Sequence, residues 1–185
     1  KGVKQNNLIA KKFYELSARY KNTIAFTKLG YLYYHGFGVE IDYFNARDYY
    51  QISSKSNYSE SLFYLGEIYS IGDFFDIDIQ KAIQYYLKCI EIEREQMHLS
   101  DYSTFESTFY SFKFNKYRYR SYNNVGLVYL ILKEDIEKAT DFVKQSAFAE
   151  FPFGQNNFGL LNQFYFNNIG NAKYMYERSA KHNFS

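Results

Sequence analysis

The chain has 185 residues, 46% hydrophobic and 22% aromatic, with 22 Lys and Arg against 20 Asp and Glu. That length and apolar content suit one ordinary domain with a continuous core and exclude a disordered segment. The formal charge of +2 excludes a global field that would draw the chain to nucleic acid or to an anionic membrane.

The single Pro152 leaves the backbone free to be helical nearly throughout. No apolar run approaches the roughly 18 to 20 residues that span a bilayer. The first element is a helix over residues 6–19, and it opens a frame that recurs five times. A capping residue is followed four positions later by alanine, then by an aromatic or large apolar pair, then by a small residue. Asn6, Asp42, Asp78, Asp135 and Asn168 precede Ala10, Ala46, Ala82, Ala139 and Ala172 in this way. The apolar pairs are Phe13-Tyr14, Tyr49-Tyr50, Tyr85-Tyr86, Phe142-Val143 and Met175-Tyr176. Self-similarity of this kind marks a repeat array, in which each unit buries its apolar face only by stacking on neighbours.

Residues 25–54 hold one complete unit. Ala25, Leu29-Gly30 and Tyr33 put small and large residues on adjoining faces of a first helix. A glycine inside a helix costs about 0.5–1 kcal/mol against alanine, so Gly30 predicts close approach by a neighbouring helix. Gly36 supplies a left-handed helix end, Gly38 a second permissive turn position, and Asp42 accepts from the open N–H groups of the second helix. Residues 61–90 repeat this with Leu65-Gly66, Tyr69, Gly72, Asp78 and Lys81-Ala82, but Phe74 stands where the second turn glycine would fall.

The regular step then breaks. Gly66 to Gly126 spans 60 residues where one period is 36, which predicts an insertion at 93–120. Ser103-Thr104-Phe105-Glu106 has capping-box spacing for a short helix there. The run from Lys113 to Arg120 interleaves cations with aromatics. Divergent units follow at 121–147 and 154–181, with Gly126 and Gly159 as first-helix glycines and loops three residues shorter. The array starts and ends in second helices, 6–19 and 169–181, with no polar capping helix, which reads as a segment of a longer array.

The motifs in residues 25–54, namely Ala25, Leu29-Gly30, Tyr33, Gly36, Gly38-Val39, Asp42, Ala46, Tyr49-Tyr50 and Ser53-Ser54, resemble the Sel-one-like repeat (SLR) family, relatives of the tetratricopeptide repeats. Residues 61–90 resemble it nearly as well. Residues 121–147 and 154–181 keep the helix signatures but lack the Gly-x-Gly-Val turn. The resemblance implies an all-α, right-handed α/α superhelical solenoid of helix-turn-helix repeats acting as a non-catalytic adaptor or scaffold. It implies roles in signalling, complex assembly or protein quality control. Some family members with paired cysteines in each repeat bind or cleave β-lactams, which gives a hydrolase alternative, but this chain has only Cys89.

Helix arrays usually offer a concave surface lined by first helices. The residues off the buried stripe there are Tyr31, Tyr34 and His35, then Tyr64, Glu67 and Ser70, then Asn124 and Leu127, then Asn157 and Gln163. Rings that anchor and amides that bond an extended backbone suit a protein or peptide partner. The alternative is nucleic acid gripped by Lys116, Arg118 and Arg120 with stacking rings between them. Cys89 takes the small slot held by Ser17, Ser53, Ser146 and Ser179, so it reads as a buried filler. His35, His98 and His182 share no metal-ligand spacing. No catalytic residue, metal, cofactor or small-molecule substrate is expected, and one cysteine fits a reducing, cytoplasmic compartment.

Overall fold

The structure, a computed structural model, describes residues 6–71, 76–100, 116–132 and 134–181. Its helices are α1 (Asn7–Arg19), α2 (Thr23–His35), α3 (Tyr43–Ser54), α4 (Ser59–Ile71), α5 (Ile79–Ser100), α6 (Lys116–Leu132), α7 (Ile136–Phe148), α8 (Pro152–Phe164) and α9 (Ile169–Lys181). No strand occurs among the described residues. The fold is an all-α solenoid of helix hairpins, and the chain divides into two compact units, Lys1–Tyr85 and Tyr86–Ser185. In the first unit α1 packs on α2, α2 on α3 and α3 on α4; in the second α6 packs on α7, α7 on α8 and α8 on α9.

All five capping residues do what their sequence positions predict. The side chains of Asn6, Asp42, Asp78, Asp135 and Asn168 accept from the backbone N–H of Ile9, Asn45, Lys81, Lys138 and Asn171 at 3.0–3.1 Å. Four of these residues also donate their own N–H backwards. Asp42 bonds the carbonyl of Tyr33, Asp78 that of Tyr69, Asp135 that of Tyr129 and Asn168 that of Asn162, at 2.8–3.0 Å. One residue thus closes the last turn of the first helix and opens the first turn of the second.

The carboxyls of Asp42 and Asp135 are held below the ordinary carboxylate range, chiefly by the backbone N–H groups of Asn45 and Lys138. A depressed folded-state pKa stabilises the fold above the unfolded pKa, and that contribution is lost as pH falls through the folded one. The melting temperature is therefore expected to fall between neutral pH and pH 3. Asp42→Asn combined with Asp135→Asn keeps a capping oxygen without the titration, as Asn6 and Asn168 do natively. Its midpoint, followed by circular dichroism, should fall less steeply over the same range.

The first-helix glycines are contact points. A Cβ on Gly30 would lie 2.8 Å from the Tyr50 ring, and one on Gly126 would lie 3.0 Å from the Ala139 carbonyl. Rings stack beside these contacts. Tyr33 pairs with Tyr49, Tyr69 with Tyr85 and Tyr129 with Phe142, at centroid separations of 5.7–5.8 Å and interplanar angles of 20° or less. Lys81 lies over Tyr69 at 4.3 Å and Lys138 over Tyr129 at 5.4 Å. Each of these lysines stands three residues after its cap, so one short motif caps the helix and covers the outer ring.

The turns differ as the shorter loops require. Gly36 and Gly38 have φ of 70° and 73°, whereas in the later loops Glu134 (φ 51°) and Asn167 (φ 48°) take the left-handed position just before the cap. Loss of the glycine turn therefore shifts the left-handed backbone onto a side-chain-bearing residue. Helix α5 runs on to Ser100, and α6 begins at Lys116, five residues before the expected start at 121. The capping box at 103–106 and the turn position Gly72 lie outside the described residues.

Candidate functional site

In the first unit, the C-terminal half of α2 gathers three of the expected side chains. Tyr31 and His35, one turn apart, have ring centroids 4.3 Å from each other, and Tyr34 lies 4.9 Å from His35. Phe37 completes the group at 5.5 Å from His35 and 5.7 Å from Tyr31. It sits between the two left-handed glycines and is 41% exposed. Reading the Gly-Phe-Gly segment only as a turn missed this ring. A large aromatic between two permissive glycines, with no helix face to bury it, was the available signal.

Helix α4 supplies the floor. Tyr64 is 3% exposed and stacks on the buried Tyr50 ring at 5.0 Å with planes 8° apart. Its ring also meets Tyr34 at 5.2 Å and Tyr31 at 5.9 Å. Tyr64 therefore supports the surface group from beneath and does not present a ring of its own, because the rings of α2 and α3 close over it. Beside the group, Lys28 of α2 pairs with Glu60 of α4 at 2.7 Å. Glu67 and Ser70 lie half-buried on α4, and the Ser70 hydroxyl donates to the Glu67 carbonyl at 2.9 Å.

In the second unit the expected amides are engaged within the fold. Asn157 donates to Asn123 Oδ1 at 2.8 Å, Asn123 to Asn124 Oδ1 at 3.4 Å, and Asn124 to the Tyr86 hydroxyl at 3.2 Å. Gln163 accepts from the Tyr176 hydroxyl at 2.8 Å. Leu127 is half-buried among these helices. This chain of hydrogen bonds ties α5, α6 and α8 together.

A family model, the Sel1 repeat, matches residues 1–19, 27–58 and 59–90. Residues 1–90 carry Sel1 repeats. By structure it is similar to a Sel1 repeat protein from Oxalobacter formigenes, with a TM-score of 0.73 at 21% identity over 98% of this chain and 66% of that one. It is also similar to c5321, a protective antigen of uropathogenic Escherichia coli strains displaying an SLR fold (TM-score 0.52, 22% identity, 97% of this chain and 42% of that one). A third similar structure is immunity protein Pa5087 from Pseudomonas aeruginosa (TM-score 0.58, 15% identity, 97% and 60%). The chain thus spans less than two thirds of the length of each. In the comparison with curated proteins nothing matches at significance.

The Sel1 match stops at residue 90, yet α6 with α7 and α8 with α9 preserve the cap, the back-donated N–H and the first-helix glycine contact of the repeats before them. What diverges is the turn. The basic-aromatic run begins outside the described residues, and Tyr117–Arg120 form the opening turn of α6. There the Arg118 N–H donates to the buried Glu93 carboxylate at 2.6 Å and its guanidinium donates to the Tyr119 hydroxyl at 2.6 Å. Arg118 is only 7% exposed, so this part of the run is a helix start, not an extended row of alternating cations and rings.

Cys89 is buried, and burial, with the nearby Glu93 charge, pushes its thiol far above the ordinary range. A thiol held neutral is a poor nucleophile. Among the described residues no group of three or more His, Cys, Asp or Glu is placed to hold a metal, and no helix is long and apolar enough to cross a membrane. The His98 side chain and His182 fall outside the described residues.

Proposed function

We propose that this Sel1-repeat chain is a non-catalytic interaction module that holds a segment of a protein partner, as an adaptor in signalling, complex assembly or protein quality control. The observation that carries the reading is the surface group of Tyr31, Tyr34, His35 and Phe37 resting on buried Tyr64 and Tyr50. Rings fixed from beneath lose little freedom on binding while offering large contact area, which is why aromatic residues dominate binding hot spots. Tyr31 and Phe37 are the primary anchors, since Tyr34 also packs on Tyr43 at 5.3 Å and supports the fold. Glu67, Ser70 and Lys28 border the anchors with polar groups. In the second unit Leu127, Asn124, Asn157 and Gln163 are secondary contacts, the amides available only where a partner replaces the hydrogen bonds they now make to Asn123, Tyr86 and Tyr176.

The test is selection of peptides from a random library on the full chain, followed by affinity measurement on a selected peptide. Tyr31→Ala combined with Phe37→Ala should weaken binding by about 2 kcal/mol, roughly 30-fold, with unchanged circular dichroism. A peptide held equally by both proteins would move the site elsewhere. A library that yields no saturable binder would overturn the interaction role.

A further inference from the structure

In the unit Tyr86–Ser185 a cavity of about 820 Å³ opens between α5, α6 and α7. Its volume falls in the roughly 300–1,000 Å³ range of ligand clefts. Its α6 wall includes Tyr122, two residues before Asn124. A step of two residues on a helix turns the side chain by about 200°, so the cavity and the first-helix position Asn124 lie on opposite sides of α6.

The walls combine three cations with rings. Arg94 comes from α5, Arg118 from α6 and Lys144 from α7, against one carboxylate, Asp141. Arg118 is fixed by the Tyr119 hydroxyl. Arg94 and Lys144 are exposed, and neither forms an ion pair among the described residues. Tyr122, Phe142 and Phe148 supply the apolar surface; Tyr122 and Phe142 lie 6.2 Å apart and Lys144 sits over Phe148 at 5.7 Å. Asp141 and Gln145 are one turn apart on α7, placed as an acceptor and a mixed donor-acceptor.

We propose that this cavity docks an acidic peptide segment in which carboxylates flank an apolar side chain. The cations take the carboxylates, the rings take the apolar side chain, and Asp141 with Gln145 takes backbone N–H and C=O groups. A nucleic-acid strand fits the same cations less well. A phosphate on every nucleotide leaves no uncharged stretch of backbone beside Asp141, whereas a peptide backbone brings an N–H at each residue. The near-neutral charge of the whole chain makes the attraction local to this cleft.

Fluorescence anisotropy on the full chain tests the proposal, with a labelled peptide of sequence Asp-Glu-Phe-Glu-Asp, its Asn-Gln-Phe-Gln-Asn counterpart, and a thymidine decamer as probes. The acidic peptide is expected to bind saturably, at least about tenfold more tightly than the amide peptide or the decamer, and to weaken as salt is raised. Arg94→Gln combined with Lys144→Gln changes two exposed side chains and should cost about tenfold or more in affinity without altering circular dichroism. Tyr31→Ala with Phe37→Ala should leave this binding unchanged, which separates it from the α2 surface. Absence of saturable binding, equal binding of the amide peptide or the decamer, or indifference to the Arg94 and Lys144 changes would each overturn the proposal.

Discussion

Tyr50→Ala is expected to lower the stability of the first unit by about 3–5 kcal/mol, the range for removing a fully buried aromatic. Tyr50 is fully buried, stacked on Tyr64 at 5.0 Å and laid against Gly30. Its loss would leave a void between α2, α3 and α4, and Gly30 has no side chain to move into it. Urea unfolding, with hydrogen exchange to locate the change within residues 1–85, measures the effect. The same contact makes a second measurement decisive. Gly30→Ala alone places a methyl 2.8–2.9 Å from Tyr50 ring atoms, an overpacking that costs about 1–3 kcal/mol. With Tyr50→Ala already present, that collision is gone and alanine's helix propensity should make Gly30→Ala neutral or stabilising by up to about 1 kcal/mol. Additive costs for the two changes would show that the ring and the glycine do not share one contact.

The second large effect is expected at Gly126, where the collision is with backbone. A Cβ there would lie 3.0 Å from the Ala139 carbonyl oxygen and 3.1 Å from the Val143 nitrogen, besides the Val143 side chain. Helices α6 and α7 would have to separate, so Gly126→Ala should cost about 1–3 kcal/mol or more. Trimming Val143 to alanine should not restore it, in contrast to the relief expected at Gly30. Gly170→Ala is the internal control: in α9 the nearest atom to its Cβ is Asn168 Oδ1 at 3.8 Å. There the helix-propensity gain of about 0.5–1 kcal/mol is expected unopposed. Urea midpoints for both variants decide the matter, and equal stability of the two would remove the close-approach explanation of the first-helix glycines.

These two cases show where sequence and structure part. Gly30 and Gly126 occupy the same repeat position, and close approach at both was legible from their spacing. Whether a ring or a peptide backbone waits opposite depends on Tyr50 and Val143, which fill equivalent positions with different side chains.

The candidate site divides in the same way. Placement of Tyr31, Tyr34 and His35 off the buried stripe followed from helical periodicity. Burial of Tyr64 did not, because periodicity gives a side chain's direction, and its exposure depends on how far the rings from α2 and α3 extend across it. Asn124 and Asn157 similarly read as polar first-helix positions, and only the tertiary structure brings Asn123 of α6 between them to make a hydrogen-bonded chain. Gln155 is the extreme case. It is fully buried with no hydrogen-bond partner for either amide atom among the described residues, at the repeat position held by Leu62, and nothing in the structure explains an amide there.

By itself the sequence determined the features set by contacts within about a turn or across one hairpin. These are the helices, the five caps, the glycine approach points and the order of hairpins along the chain. Their determinants recur at fixed spacing, so each repeat confirms the others. Tertiary structure alone decided which rings remain at the surface, which amides are engaged, and that Arg94, Arg118 and Lys144, drawn from three helices, line one cleft. Those outcomes depend on side-chain sizes brought together from positions some 13 to 50 residues apart, and no local period encodes them.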